Sequence, residues 1–246
     1  KQSLSYIETD HPEKFADCTG LKTAIFSGDL LKRTYPPGMT DLDVYNMTFV
    51  TVSSFPQTLL KLSVYDIESW VEDEKGCIQY DPDGFVPLPS TIRSLNIDSL
   101  ASMDRISNLV DLEVLKLKCF STISPILWLP AGLVKFKFGF NDDVNTGGST
   151  TLQDFWAVLP QTLKTLSICT NQIFIGRVLM SDLPKGLTKL RFFSEFFRME
   201  SDDRFNNGLI SLKTDVILEN DAPITAKTLP QSITELEINI NSAALE

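Results

Sequence analysis

Apolar residues in this chain recur as a spaced triplet rather than as long helical stripes. The phrase L-P-x-x-L-x-x-L-x-L runs from Leu88-Pro89 to Ile97, Leu129-Pro130 to Phe138, Leu159-Pro160 to Ile168, Leu183-Pro184 to Phe192 and Leu229-Pro230 to Ile238. Tyr35-Pro36 and Phe55-Pro56 open two copies with an aromatic in place of the leading leucine. Three more copies lack the proline and align with Cys18, Leu109 and Asn206 at its position. The ten units start 18 to 33 residues apart, with a mean step of about 24. Of their thirty apolar slots only Thr214 is polar, whereas a chain that is 43% apolar would fill about thirteen by chance. The period is therefore a property of the sequence.

The last L-x-L of each unit alternates with period two, which predicts a short strand with one face buried and the other open. Steps of about 24 residues are too short for crossovers with long helices and suit a coil that adds one parallel strand per turn. Proline ahead of the strand fixes φ, needs no donor and holds the preceding residue extended. No turn can bury its apolar residues alone, so stability comes from stacking and the ends need caps. The expected fold is α/β but β-rich: a solenoid with one short parallel strand per repeat on the concave face and short helices or irregular segments on the convex face. Residues 1–17 read as an N-terminal flank or cap, and 18–246 as the solenoid. The long steps place insertions at 66–88 and 139–159. Short helices are expected over 151–159, behind a Ser/Thr cap, and over 102–109.

These phrases resemble the leucine-rich repeat superfamily, in its proline-bearing form. Two branches share that form: the FNIP-type repeats of amoebal and viral F-box proteins, and the LPX repeats of bacterial effectors. Phe140-Asn141 and Phe205-Asn206 echo the Phe-Asn pair of the FNIP type, without the following Ile-Pro. The FNIP likeness implies the substrate-recognition part of an F-box ubiquitin-ligase adaptor. The LPX likeness implies the recognition domain of a bacterial effector.

Charge and composition narrow the chemistry. With Lys+Arg 22 against Asp+Glu 32, the net charge of −10 opposes nucleic acid and anionic membrane surfaces. A single histidine, His11, rules out a multi-histidine metal site. Cys18, Cys77, Cys119 and Cys169 are widely spaced, which reads as reduced thiols in an intracellular, cytoplasmic setting. Asp81-Pro82-Asp83-Gly84 lacks the distal glutamate of a calcium loop, and Gly147-Gly148 lacks the Lys-Ser/Thr of a phosphate-binding loop. Both read as turns, and neither a cofactor nor a metal is expected. Trp70, Trp128 and Trp156 read as packing residues. Asn46-Met47-Thr48 matches a glycosylation sequon.

The positions that the period turns outward carry the functional expectation. In the units opening at 109 to 206 they hold Lys116, Lys118, Lys135, Lys137, Lys189, Arg191 and Lys213 against one acidic residue, Asp215. Acidic residues gather at the two ends. One reading is a solvated face on which lysines resist edge pairing. The other is a docking wall for a protein partner through an acidic or phosphorylated segment, with Lys61 beside it and Tyr45, Tyr65 and Phe193 as anchors at its flanks. The second makes the chain a non-catalytic interaction module. A carboxylate-dependent, polysaccharide-cleaving β-solenoid enzyme is the alternative from another class, but such coils stack two or three strands per turn and only one strand phrase per unit is visible here.

Overall fold

A computed structural model describes residues 5–9, 12–15, 17–18, 20–27, 35–36, 38–45, 55–65, 70–72, 78–80, 88–99, 106, 108–119, 129–139, 159–169, 183–193, 205–216 and 229–240. Its strands are β1 (Tyr6–Thr9), β2 (Thr23–Ser27), β3 (Asp41–Tyr45), β4 (Lys61–Tyr65), β5 (Trp70–Glu72), β6 (Ile78–Tyr80), β7 (Ser94–Ser99), β8 (Val114–Cys119), β9 (Lys135–Gly139), β10 (Thr165–Cys169), β11 (Lys189–Phe193), β12 (Ser211–Val216) and β13 (Glu235–Ile240). Ten of them, β2 to β4 and β7 to β13, each begin five residues after a proline position of the repeat.

The chain divides into two compact units, Lys1–Lys116 and Leu117–Glu246. In the first, β1 to β4 and β7 follow one another in parallel register, with Leu42 opposite both Ala24 and Leu62, and Leu62 opposite Leu95. In the second, β9 to β13 do the same, with Phe136, Leu166, Leu190, Leu212 and Leu236 in one row. β1, in the segment read as a flank, adds a parallel strand that no phrase marks. The 66–88 insertion holds an antiparallel pair, β5 with β6, that the repeat does not foreshadow.

Each of the ten repeat strands is launched by the same turn. The amide of the first apolar slot donates to the carbonyl at the proline position, as in Met39 to Pro36 at 3.2 Å, Leu163 to Pro160 at 3.1 Å and Leu187 to Pro184 at 3.0 Å. This is the closing bond of a β-turn. Next, one carbonyl per repeat accepts two amides from the following repeat: Thr40 O takes Leu60 and Lys61 N–H, and Lys164 O takes Thr188 and Lys189 N–H. In one of the three units without proline, Asn206 holds the turn with its side chain, its Oδ1 accepting the Gly208 N–H at 3.1 Å.

A hydroxyl two residues after the proline locks consecutive repeats together. Thr58 Oγ1 donates to Met39 O at 2.6 Å and Ser232 Oγ to Leu209 O at 2.6 Å. Thr91 lies 3.0 and 2.8 Å from Gln57 O and Leu59 O, and Thr162 lies 2.7 and 2.9 Å from Ala131 O and Leu133 O. These bonds satisfy turn carbonyls that no strand partner reaches.

The apolar triplets form the core. Leu21, Ala24, Phe26, Leu42, Leu62, Leu95, Leu133, Phe136, Phe138, Leu163 and Leu166 are fully buried. At about 1.5–3 kcal/mol for each large side chain, burial repeated turn after turn is the main stabilising term. The aromatics that replace leading leucines, Tyr35 and Phe55, stack at a centroid separation of 6.1 Å, and Phe26 packs tilted against Tyr35 at 5.9 Å. Leu236 on β13 is 45% exposed, with β12 as its one strand neighbour among the described residues.

Among the described residues the one complete helical element is the four-residue 3-10 turn Pro12–Phe15. Of the helices expected over 102–109 and 151–159, the described residues Ile106, Asn108, Leu109 and Leu159 show no α-helix; the rest of both segments lies outside the described residues, as do Trp128, Trp156, Asp81, Gly147 and Asn46.

Candidate functional site: the outward face of the second unit

Parallel register without offset turns the repeat into a grid. Across β9 to β13 the first outward row reads Lys135, Thr165, Lys189, Ser211, Glu235, and the second reads Lys137, Ser167, Arg191, Lys213, Glu237. Neighbouring columns stand about 4.8 Å apart. Lys135 and Lys137 on β9 and Lys189 and Arg191 on β11 are all exposed. Between them, β10 presents two hydroxyls. Thr165 is half-buried, and Ser167 is 8% exposed, at the floor between longer side chains.

The acidic end of the grid is occupied from within. Lys213 Nζ lies 3.2 Å from Glu235 Oε1 and 2.8 Å from Glu237 Oε2. Hydrogen bonds to Glu237 and then Glu235 raise the Lys213 pKa above its ordinary value. Glu235 is held below the usual carboxylate range, first by the Ser211 hydroxyl and then by Lys213. A carboxylate on this face therefore rests on a serine and a lysine of the neighbouring strand.

The first unit has a different surface. Its outward rows carry Asp41 and Lys61, then Asp43, Ser63 and Asn96. Lys61 Nζ pairs with Asp43 Oδ1 at 3.7 Å. Tyr45 and Tyr65 stack at 4.6 Å with ring planes 13° apart, and Asn96 Nδ2 donates to Tyr65 Oη at 2.8 Å.

Of the residues expected to form the docking wall, the structure gathers Lys135, Lys137, Lys189 and Arg191 around one column. It places Lys213 in the same grid but in ion pairs, and Lys61 and Tyr65 on the first unit. Lys116 is half-buried at the end of the first unit. Lys118 lies in β8 and Phe193 ends β11 opposite Cys169 and Asp215, their side chains outside the described set. Cys18 and Cys169 are free thiols. A count of charges passes over Thr165, Ser167 and Ser211, although their outward parity is as legible as that of the lysines. Among the described residues no cluster of three or more His, Cys, Asp or Glu forms a metal site. No helix among them is long and apolar enough to cross a membrane.

No protein-family model and no curated protein sequence matches the chain. Among solved structures, the crystal structure of CroV588, described as a novel circular LRR protein structure, is similar at 16% identity and a TM-score of 0.29. The match covers 89% of this chain and 43% of that one, so the chain spans less than half the length of that protein. The fold itself is placed by the ten phrases, each setting the start of one strand in a parallel ladder. It is leucine-rich-repeat-like. Within it, the exposed basic columns are presented by repeat geometry and need no loop to position them.

Proposed function

We propose that the chain is a protein-interaction module whose outward face on the second unit receives an acidic or phosphorylated segment of a protein partner. The observation that carries this is the pair of exposed basic columns, Lys135 with Lys137 and Lys189 with Arg191, set in register on either side of β10 in a chain of net charge −10. Concentrating cations in an acidic molecule costs repulsion that an anionic partner relieves. The solvated-face reading asks only for scattered lysines, whereas here acidic residues enter the same rows only at β13.

The FNIP likeness extends the proposal to the recognition half of an F-box adaptor working inside the cell. Co-purification with the other ligase subunits from cells expressing the full-length gene checks that extension.

The direct test is affinity capture with the intact chain and with a Lys137→Glu, Lys189→Glu, Arg191→Glu variant, quantified by mass spectrometry at two salt concentrations. The proposal expects a recurrent protein whose recovery falls with salt and at least tenfold in the variant. Equal recovery by both proteins overturns it.

A further inference from the structure

We propose that the Thr165–Ser167 column, flanked by Lys135, Lys137, Lys189 and Arg191, is a seat for the phosphoryl group of a phosphorylated protein segment; this rests on the docking reading above and narrows its ligand.

The molecule supplies its own comparison two strands away. At β12–β13 a carboxylate, Glu235, takes the Ser211 hydroxyl and one lysine, Lys213. One hydroxyl and one lysine serve two carboxylates there, since Lys213 also pairs with Glu237 at 2.8 Å. The β10 column offers two hydroxyls with a basic residue on both sides in both rows. That is more positive charge and more donors than one carboxylate can engage. A phosphoryl group carries about −1.5 to −2 charge at neutral pH and three strong acceptor oxygens, which suits this larger set. Arginine adds a planar fork that a phosphate oxygen pair can meet with two bonds.

Ser167 strengthens the choice. It is buried on the outward face, and its hydroxyl lies 4.0 Å from Cys169 Sγ, a long contact with a weak partner in which either atom can donate. Its counterpart Ser211, by contrast, is engaged by Glu235. The flanking basic columns are about 9.6 Å apart across β10. Lysine and arginine side chains are long enough to meet over the column between them, where the hydroxyls form the floor. Phosphate specificity then comes from the floor, and most of the affinity from the walls.

The test uses the full chain and three degenerate fluorescent peptide libraries, identical except for a central phosphoserine, glutamate or serine, read by polarisation. The phosphoserine library is expected to bind at least tenfold more tightly than the glutamate library. Ser167→Ala should weaken phosphoserine binding by about tenfold, the scale of one hydrogen bond to a charged group, and leave glutamate binding within twofold. Lys137→Gln with Arg191→Gln should abolish the preference. Equal binding of the phosphoserine and glutamate libraries overturns the phosphoryl seat while leaving the acidic docking reading in place. Phosphoserine binding unchanged by the Lys137→Gln, Arg191→Gln pair overturns both, because the ligand then sits elsewhere. No binding of any library to the wild-type chain, or preferential binding to phosphoinositide vesicles, overturns the seat as well.

Discussion

Lys213 on β12 is clamped between two glutamates of β13, its Nζ 2.8 Å from Glu237 Oε2 and 3.2 Å from Glu235 Oε1. The last strand thus neutralises the basic grid on one side and limits the exposed cations in its described part to β9 and β11. Structure and proposed recognition meet in this one arrangement. It also gives the grid a titration signature.

Glu235 is expected to titrate below the ordinary carboxylate range. Its stabilising contribution is present above the unfolded-state pKa and is lost as pH falls through the lowered folded value. Lys213 has the opposite sign: its contribution holds below the ordinary lysine value and is lost as pH rises through the raised folded one. Between those limits stability should not respond to this group. Carbon-13 NMR titration checks it. Ser211→Ala and Lys213→Met should each move the Glu235 midpoint up; a midpoint that neither variant moves contradicts the geometry.

Thr162→Val keeps the side-chain shape and removes the hydroxyl shared between Ala131 O and Leu133 O. A loss of about 1 kcal/mol is expected, because an intramolecular hydrogen bond nets about that much. In a chain of this size it corresponds to a fall in Tm of roughly 2–4 °C. Calorimetry that finds the two proteins equally stable would remove the hydroxyl ladder as a stabilising device.

Leu166 and Leu236 occupy the same slot of the repeat but differ in burial, 0% against 45% exposed. Leu166→Ala should cost about 2–5 kcal/mol, the range for an aliphatic residue deleted from a packed core. Leu236→Ala should cost under about 1 kcal/mol, as at surface positions. Equilibrium unfolding of the two variants decides it, and equal losses would mean that β13 is covered.

Tyr45 and Tyr65 form a stacked pair, with Asn96 fixing the second ring. A double-mutant cycle to alanine should return a coupling of about 0.5–1.5 kcal/mol. Additive losses would show that the rings merely lie side by side.

The strands were the most legible part of the chain. Each L-x-L carries its own parity, and proline fixes where it starts, so Lys137, Arg191 and Glu237 could be assigned to one face before any pairing was known. The exact opposition of Lys137, Ser167 and Arg191 follows from turns of equal construction, which a single unit does not display. Hydroxyls such as Thr162 were harder to read. Residues two after the proline position are Ser, Thr, Gly or Asp, and only the neighbouring turn shows what a hydroxyl there does. The β5–β6 hairpin was hidden because two three-residue strands in a charged insertion have too few residues to express a period. The pairing of Lys213 was also missed, since a count of charges in each unit does not see that Glu235 and Glu237 lie directly opposite Ser211 and Lys213.

Everything proposed for the second unit depends on Lys137, Ser167 and Arg191 standing side by side on one face. A one-residue slip would send each of them to the core side. Interstrand amide and α-proton Overhauser contacts in the labelled chain measure this directly. The structure requires contacts that join Lys137 to Ser167 and Ser167 to Arg191. Contacts that instead set Ser167 against Leu190 or Phe192, or none between β9, β10 and β11, would contradict it.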